Sequence, residues 1–367
     1  LVGLGILAKY TMVLWIPSFA LFLFTERARR HLVFRPRLWV LTGVAFLCSL
    51  PILIWNAQNN WVTFRHVGGQ AGVTEATGIA WFGPVKFLSQ QCVVFLIFWF
   101  LAYILAMVAY RPWKERDPQR QYLWWMSAPM FLNFLFFSFK NGGGQINWPV
   151  TAYTAGLILA IGWLIEQWHS PVAWWRRAIK TGFATSTAVG FSLVILMHFA
   201  VQAQPVLETI AKPAFSKEPY PLRKLDPTCR LRGWRHLAAH VDQVRARLHE
   251  QGEEEPVLMA TTWRLPGELR FYCAGNPIVY SVGRAIGERW SQYDFWRPNP
   301  LHDDELFHGK TVILVGYGPG EALGAAFGEF VSSENVIYRE DGEPIEGWNI
   351  TVFRDFRGFS KVSSKHY

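Results

Sequence analysis

The feature that most limits what this chain can fold into is a series of apolar runs of near membrane-spanning length, crowded into its first 204 residues. A helix needs about 20 largely apolar residues to cross a bilayer, because each residue rises about 1.5 Å and the hydrocarbon core is roughly 30 Å thick. Six segments meet that requirement, at approximately 2 to 25, 38 to 55, 87 to 110, 122 to 139, 149 to 168 and 181 to 203. The charges of this half lie between the segments and are unevenly shared. One set of loops holds Arg27, Arg29, Arg30, Arg35 and Arg37, then Arg111, Lys114, Arg116 and Arg120, then Arg176, Arg177 and Lys180. Basic residues accumulate on the cytoplasmic side of inserted helices, which assigns these three loops to the cytoplasm. The alternate loops, 56 to 86 and 140 to 148, carry only Arg65, Lys86 and Lys140 and are expected outside. The net charge of +9 is therefore topology information, and no nucleic-acid partner is expected.

After Pro205 the pattern changes to short strand-like runs alternating with helical ones. The expected fold class is a polytopic α-helical membrane protein with about six transmembrane helices over 1–204. A small extracytoplasmic α/β domain follows over 205–367. PVLMA at 256 to 260, a helical stretch from Leu265 to Tyr272 and PIVYSV at 277 to 282 read as a β-α-β unit. TVILVGYG at 311 to 318 reads as a buried strand, EALGAAFGEF at 321 to 330 as a helix and NITVF at 349 to 353 as a closing strand. Trp234, Leu237, Val241, Val244 and Leu248 recur at helical spacing. Cys229 and Cys273 leave a disulfide open as one alternative in an oxidising compartment.

Four motifs in the first half occur in order: GLGILAKYT (3 to 11), P-x-L-x-WN-x-x-x-NW-x-x-F-x-H (51 to 66), GPVKFLSQQ (83 to 91) and QINWPVTAY (145 to 153). Together they resemble the bacterial branch of glycosyltransferase family 39, which includes the protein O-mannosyltransferase-like enzymes and is related to the aminoarabinose transferase of lipid A. The resemblance extends more weakly to RLRGW (230 to 234) and SQYDFW (291 to 296). It implies a GT-C fold in the bacterial inner membrane and inverting transfer from a polyprenyl-phosphate sugar donor to a protein, lipid or glycan acceptor. It also implies a catalytic Asp in a periplasmic loop that would precede Leu1, so no catalytic residue is assigned within these residues, and the chain is expected to be inactive alone.

The leaving group of such a reaction is a lipid phosphate, already stable as an anion, so the chemistry asks for positive charge beside it more than for an acid. Lys9 is the first candidate, about 27 Å up a continuous helix from Arg27 and thus near the outer headgroups. Arg65 can clamp phosphate oxygens two at a time. The resemblance suggests that His66 helps hold a divalent metal ion. Asn56, Trp61, Gln145, Asn147, Trp148 and Tyr153 suit sugar hydroxyls and a sugar face, and Lys140 beside three glycines suits a cationic, mobile gate. His236 and His240 are four apart but lack the glutamate of a zinc helix. GYGPGE departs from the dinucleotide fingerprint, so no nucleotide cofactor is expected. A transporter or lipid flippase, the main rival, calls for repeat symmetry, broken helices or charges at mid-membrane, and the sequence displays none. A binding module is the third reading, and it needs a convergent polar pocket within 205–367.

Overall fold

A computed structural model describes residues 1–72, 78–288, 290–317 and 320–359. The chain divides into two compact units, Leu1–Leu193 and Val194–Tyr367, each described by itself. That division falls within a long helix, earlier than the 204/205 boundary expected from composition.

The first unit is helical. Its elements are α1 (Val2–Ala8), α2 (Trp15–Thr25), α3 (Arg27–Arg30), α4 (Pro36–Gln58), α5 (Val62–Gln70), α6 (Gly83–Val94), α7 (Phe98–Ala109), α8 (Pro118–Asn141), α9 (Val150–Trp168) and α10 (Ala173–His198). By length and composition α4, α9 and α10 can each cross a membrane, and α6 with α7 makes a fourth candidate if that pair, bent by 115°, counts as one span. The helix α8 is 24 residues long but carries Gln119, Arg120, Gln121, Asn133 and Lys140 along it.

Two of the expected crossings are broken, which corrects the reading of unbroken apolar rods. The run 2–25 leaves helical geometry at Lys9, whose backbone is extended at φ −152° and ψ 119°. Gly3 then lies against Ala45 and Cys48 in the middle of α4, while Tyr10 stacks on Phe64 beyond the end of α4 at 6.3 Å. The run 87–110 breaks after Val94, where Leu96 and Ile97 take φ of 50° and 60°. The last run, 181–203, ends as a helix at His198.

The core of this unit forms where α7, α8 and α9 meet, around Phe100, Tyr103, Phe131, Tyr153, Leu159 and Trp163. Gly156 makes that meeting possible, since a Cβ there would overlap the Tyr103 ring and the Ser127 hydroxyl. Described carboxylates gather at the arginine-rich end: Arg120 reaches Glu166 at 2.6 Å and Glu115 and Asp117 at 3.5 Å, and Glu26 pairs with Arg29 at 3.5 Å.

The second unit begins with α11 (Ala200–Ala214), continues through α12 (Trp234–Glu250) and α13 (Leu265–Tyr272), and holds a five-stranded sheet. Its strands are β1 (Val257–Ala260), β2 (Val279–Ser281), β3 (Val312–Gly316), β4 (Phe327–Glu340) and β5 (Glu343–Phe356), in the order β2-β1-β3-β5-β4. β1 runs parallel to β2 and β3, and β5 pairs antiparallel with β3 and β4. Leu237, Val241, Val244 and Leu248 of α12 and Leu265 and Leu269 of α13 pack onto Leu258, Ile313 and Val315 of the sheet, as helical spacing predicts. The expected helix at 321–330 is not formed. A 3-10 turn covers Gly320–Ala326 and β4 starts at Phe327, because that ring stacks on Phe353 at 4.3 Å and the backbone pairs with β5. Cys229 and Cys273 are both free thiols, buried in separate apolar clusters.

Candidate functional site

The two polar stretches of the first unit, 56–72 with 78–86 and 140–149, lie together at the end of the helical unit remote from the paired carboxylates. The Ala80 amide donates to the Phe139 carbonyl at 2.7 Å. A Cβ on Gly83 would overlap the Ser138 carbonyl, so α6 starts in backbone contact with the end of α8. A Cβ on Gly72 would come within 2.8 Å of the Lys140 carbonyl, and one on Gly143 within 3.1 Å of the Lys86 stem. Glycine is required at both for a further reason, with φ of 71° and 113°.

Lys9 enters this cluster through its break in the helix. Its ammonium points at the Trp148 carbonyl, 3.5 Å away. Lys9 is half-buried, and Lys86 and Lys140 are exposed. Among the described residues none of these three lysines has a carboxylate within ion-pair distance, while Glu75 lies outside the described residues. Arg65, exposed, and His66, half-buried, follow each other on α5. Phe64 ties that helix to Tyr10, the neighbour of Lys9.

Other candidates turn out to hold the scaffold. Asn56 is 1% exposed. It donates to the Ile52 carbonyl at 2.9 Å and accepts from the Thr63 amide at 3.2 Å. It thus fixes the corner between α4 and α5 rather than facing a sugar. Tyr153 is likewise buried and donates its hydroxyl to Gln91 at 2.9 Å. Trp61 is exposed at a left-handed position, φ 56°, and makes an edge contact with Phe64 at 5.5 Å. Gln145 and Asn147 are exposed, and Trp148 is half-buried with its ring against Gly144.

Gln91 was not singled out from the sequence, yet it joins the third and fourth motifs. It is fully buried, accepting from Tyr153 and donating to the Ile146 carbonyl at 3.2 Å. An amide inside an apolar run is the sign that could have revealed it, because a polar group at membrane depth persists where it finds a partner. Beside it opens an apolar groove of about 440 Å³, lined by Val94, Phe95, Val150 and Leu157 with Gln91 and Asn147 at its polar edge.

Among the described residues no group of three or more His, Cys, Asp or Glu side chains is placed to hold a metal ion. The His240 Nδ1–H donates to the His236 carbonyl, 2.9 Å away, within its own helix. Lys9, Lys86 and Lys140 offer fixed positive charge next to an apolar groove, an arrangement suited to an anionic head on a long apolar tail.

No protein-family model matches the chain, and no solved structure matches it. A curated protein, the lipid A galacturonosyltransferase RgtD of Rhizobium johnstonii, is 33% identical over 173 residues, which cover 46% of this chain and 34% of that protein. The match therefore spans about a third of the relative's length.

Proposed function

We propose that this chain is part of a membrane glycosyltransferase of GT-C type that moves a sugar from a polyprenyl-phosphate donor at the outer face of the inner membrane. The observation that carries the reading is a set of lysines, Lys9, Lys86 and Lys140, that have no carboxylate partner among the described residues and gather at one end of the helical unit beside an apolar groove. The groove takes the prenyl chain, and the lysines with Arg65 hold the phosphate and stabilise it as it leaves. His66 belongs to the surroundings of that phosphate. Trp61, Gln145, Asn147 and Trp148 border the same end and supply sugar contacts. The proton of the attacking acceptor passes to a general base that is not assigned among these residues. The resemblance to family 39 and the similarity to a lipid A galacturonosyltransferase both support this class, and the second favours a lipid or glycan acceptor over a protein. The loop charges support an extracytoplasmic position for the C-terminal unit.

The test is transfer of radiolabelled sugar from polyprenyl-phosphate donors to lipid A by the full-length protein in proteoliposomes. Lys9→Ala is expected to lower kcat/KM at least tenfold with the fold retained. Absence of transfer across a panel of donors, or full activity of Lys9→Ala, overturns the assignment. The two broken apolar segments give a lipid flippase some support, since interrupted helices mark transport pathways. Movement of labelled lipid between leaflets without any transfer would favour that reading.

A further inference from the structure

Two sequence motifs of the second unit, RLRGW and SQYDFW, have no part in the reading above, yet they meet. Arg230 and Trp234 from the first and Tyr293 from the second line one cavity of about 440 Å³, within the size range of small-ligand sites. The cavity lies where β1 and β3 end, since Trp263 and Arg264 follow β1 and Tyr317 follows β3. The chain leaves β1 for β2 on one side, and β3 lies on the other. That reversal makes the crevice at the carboxyl ends of the strands the expected ligand position in an open α/β sheet.

The lining has a definite chemistry. At the base, buried Glu346 pairs with Arg223. Burial raises its carboxyl above the ordinary value, although Arg223 and Arg264 pull the other way. Gly347 leaves room for the Tyr220 hydroxyl, which a Cβ there would overlap. At the rim, Arg264 sits over the Tyr317 ring at 5.4 Å, and Glu268 is the one carboxylate of the described lining besides Glu346, against the three arginines Arg223, Arg230 and Arg264. Among the described residues neither Arg230 nor Arg264 has a carboxylate within ion-pair distance. The rest of each motif serves to build the wall. Arg232 is held by Asp226 and Glu340, and the Ser291–Asp294 capping box fixes the turn that carries Tyr293.

We infer that this cavity is a binding site for an acidic saccharide, with the aromatic rings against the pyranose face, Arg230 and Arg264 on its carboxylate or phosphate, and the Glu346–Arg223 pair taking hydroxyls. The site is independent of the transfer reaction, and its test does not require activity. Purified full chain in nanodiscs is titrated calorimetrically with digalacturonate, glucose 6-phosphate, maltose and uridine monophosphate. Digalacturonate, glucose 6-phosphate or both are expected to bind at least tenfold more tightly than maltose. The stronger of the two identifies the acidic group. Arg230→Gln and Arg264→Gln, both at exposed positions, are each expected to weaken binding roughly tenfold, the effect of losing one charge-assisted contact. Arg270→Gln, lining the neighbouring cavity, is expected to leave it unchanged. Unaltered unfolding temperatures establish that the variants fold. No binding below 10 mM, on the order of the weakest specific affinity that is useful here, overturns the inference. Equal affinity for maltose, preference for the nucleotide, or indifference to both arginine variants does the same.

Discussion

Replacing Gln91 by leucine tests whether one buried amide ties α6 to the turn before α9. The side chain is fully buried, donates to Ile146 at 3.2 Å and accepts from Tyr153 at 2.9 Å. Leucine has similar bulk, so the cavity contribution is small and the loss is polar. Each such bond nets about 1 kcal/mol in soluble folds but nearer 0.6 kcal/mol between membrane helices. The Ile146 carbonyl and Tyr153 hydroxyl left without partners add a penalty of similar size, for a total of about 2 kcal/mol. In a unit of this length that corresponds to a fall of roughly 4–8 °C in Tm. The assay is thermal denaturation in detergent at one fixed scan rate, on Gln91→Leu, Tyr153→Phe and the double variant. A coupling of about 0.6–1 kcal/mol between the two is expected. Gln90→Leu is the control, because the Gln90 carbonyl oxygen is buried without a partner among the described residues, and leucine there is expected to be neutral. A Gln91→Leu variant as stable as the parent, or singles that simply add, would refute the junction.

Gly83→Val is expected to destabilise the first unit by at least 2 kcal/mol, because its Cβ would overlap the Ser138 carbonyl and backbone must move. Gly162→Ala, where nothing lies within 4 Å of an added Cβ, is expected to be neutral or slightly stabilising, and denaturation of the pair in parallel checks the contrast. Burial would raise the Glu253 carboxyl, but the Thr311 hydroxyl and Arg354 guanidinium outweigh it and hold the group below its ordinary value of 4.5. The stability it contributes is therefore present above pH 4.5 and lost as the pH falls through the lowered value. Glu253→Gln should flatten that acid limb of the unfolding curve, and an unchanged limb would count against the network.

The sequence disclosed the apolar half, the parallel strands and α12, since each follows a strong period or an unbroken run. It did not disclose β4, where Phe327 and Val336 are buried and most other positions are exposed or half-buried. An edge strand of that kind has no alternation to read, and the alanines before it favour helix until pairing with β5 overrides them. The helix breaks were not foreseen for a related reason. Pro51 and Pro129 lie inside continuous helices, while the sharp bend falls in VVFLIF, which has neither proline nor glycine. For the candidate site, residue type pointed to Lys9 and the 145–149 turn, but not to which polar groups are consumed internally. Asn56 and Tyr153 could be assigned to the scaffold only once their partners were in place.

The bend at Leu96 and Ile97 has a mechanical consequence. Left-handed geometry costs a branched residue about 1–3 kcal/mol, and glycine would turn the same corner with less strain but far less stiffly. Built from leucine and isoleucine, the joint has one direction available and little play, and it aims the whole of α6. Lys86 and Gln91 ride on that helix, so their positions are set from the hydrocarbon side. The corner works as a set-square for the cationic rim.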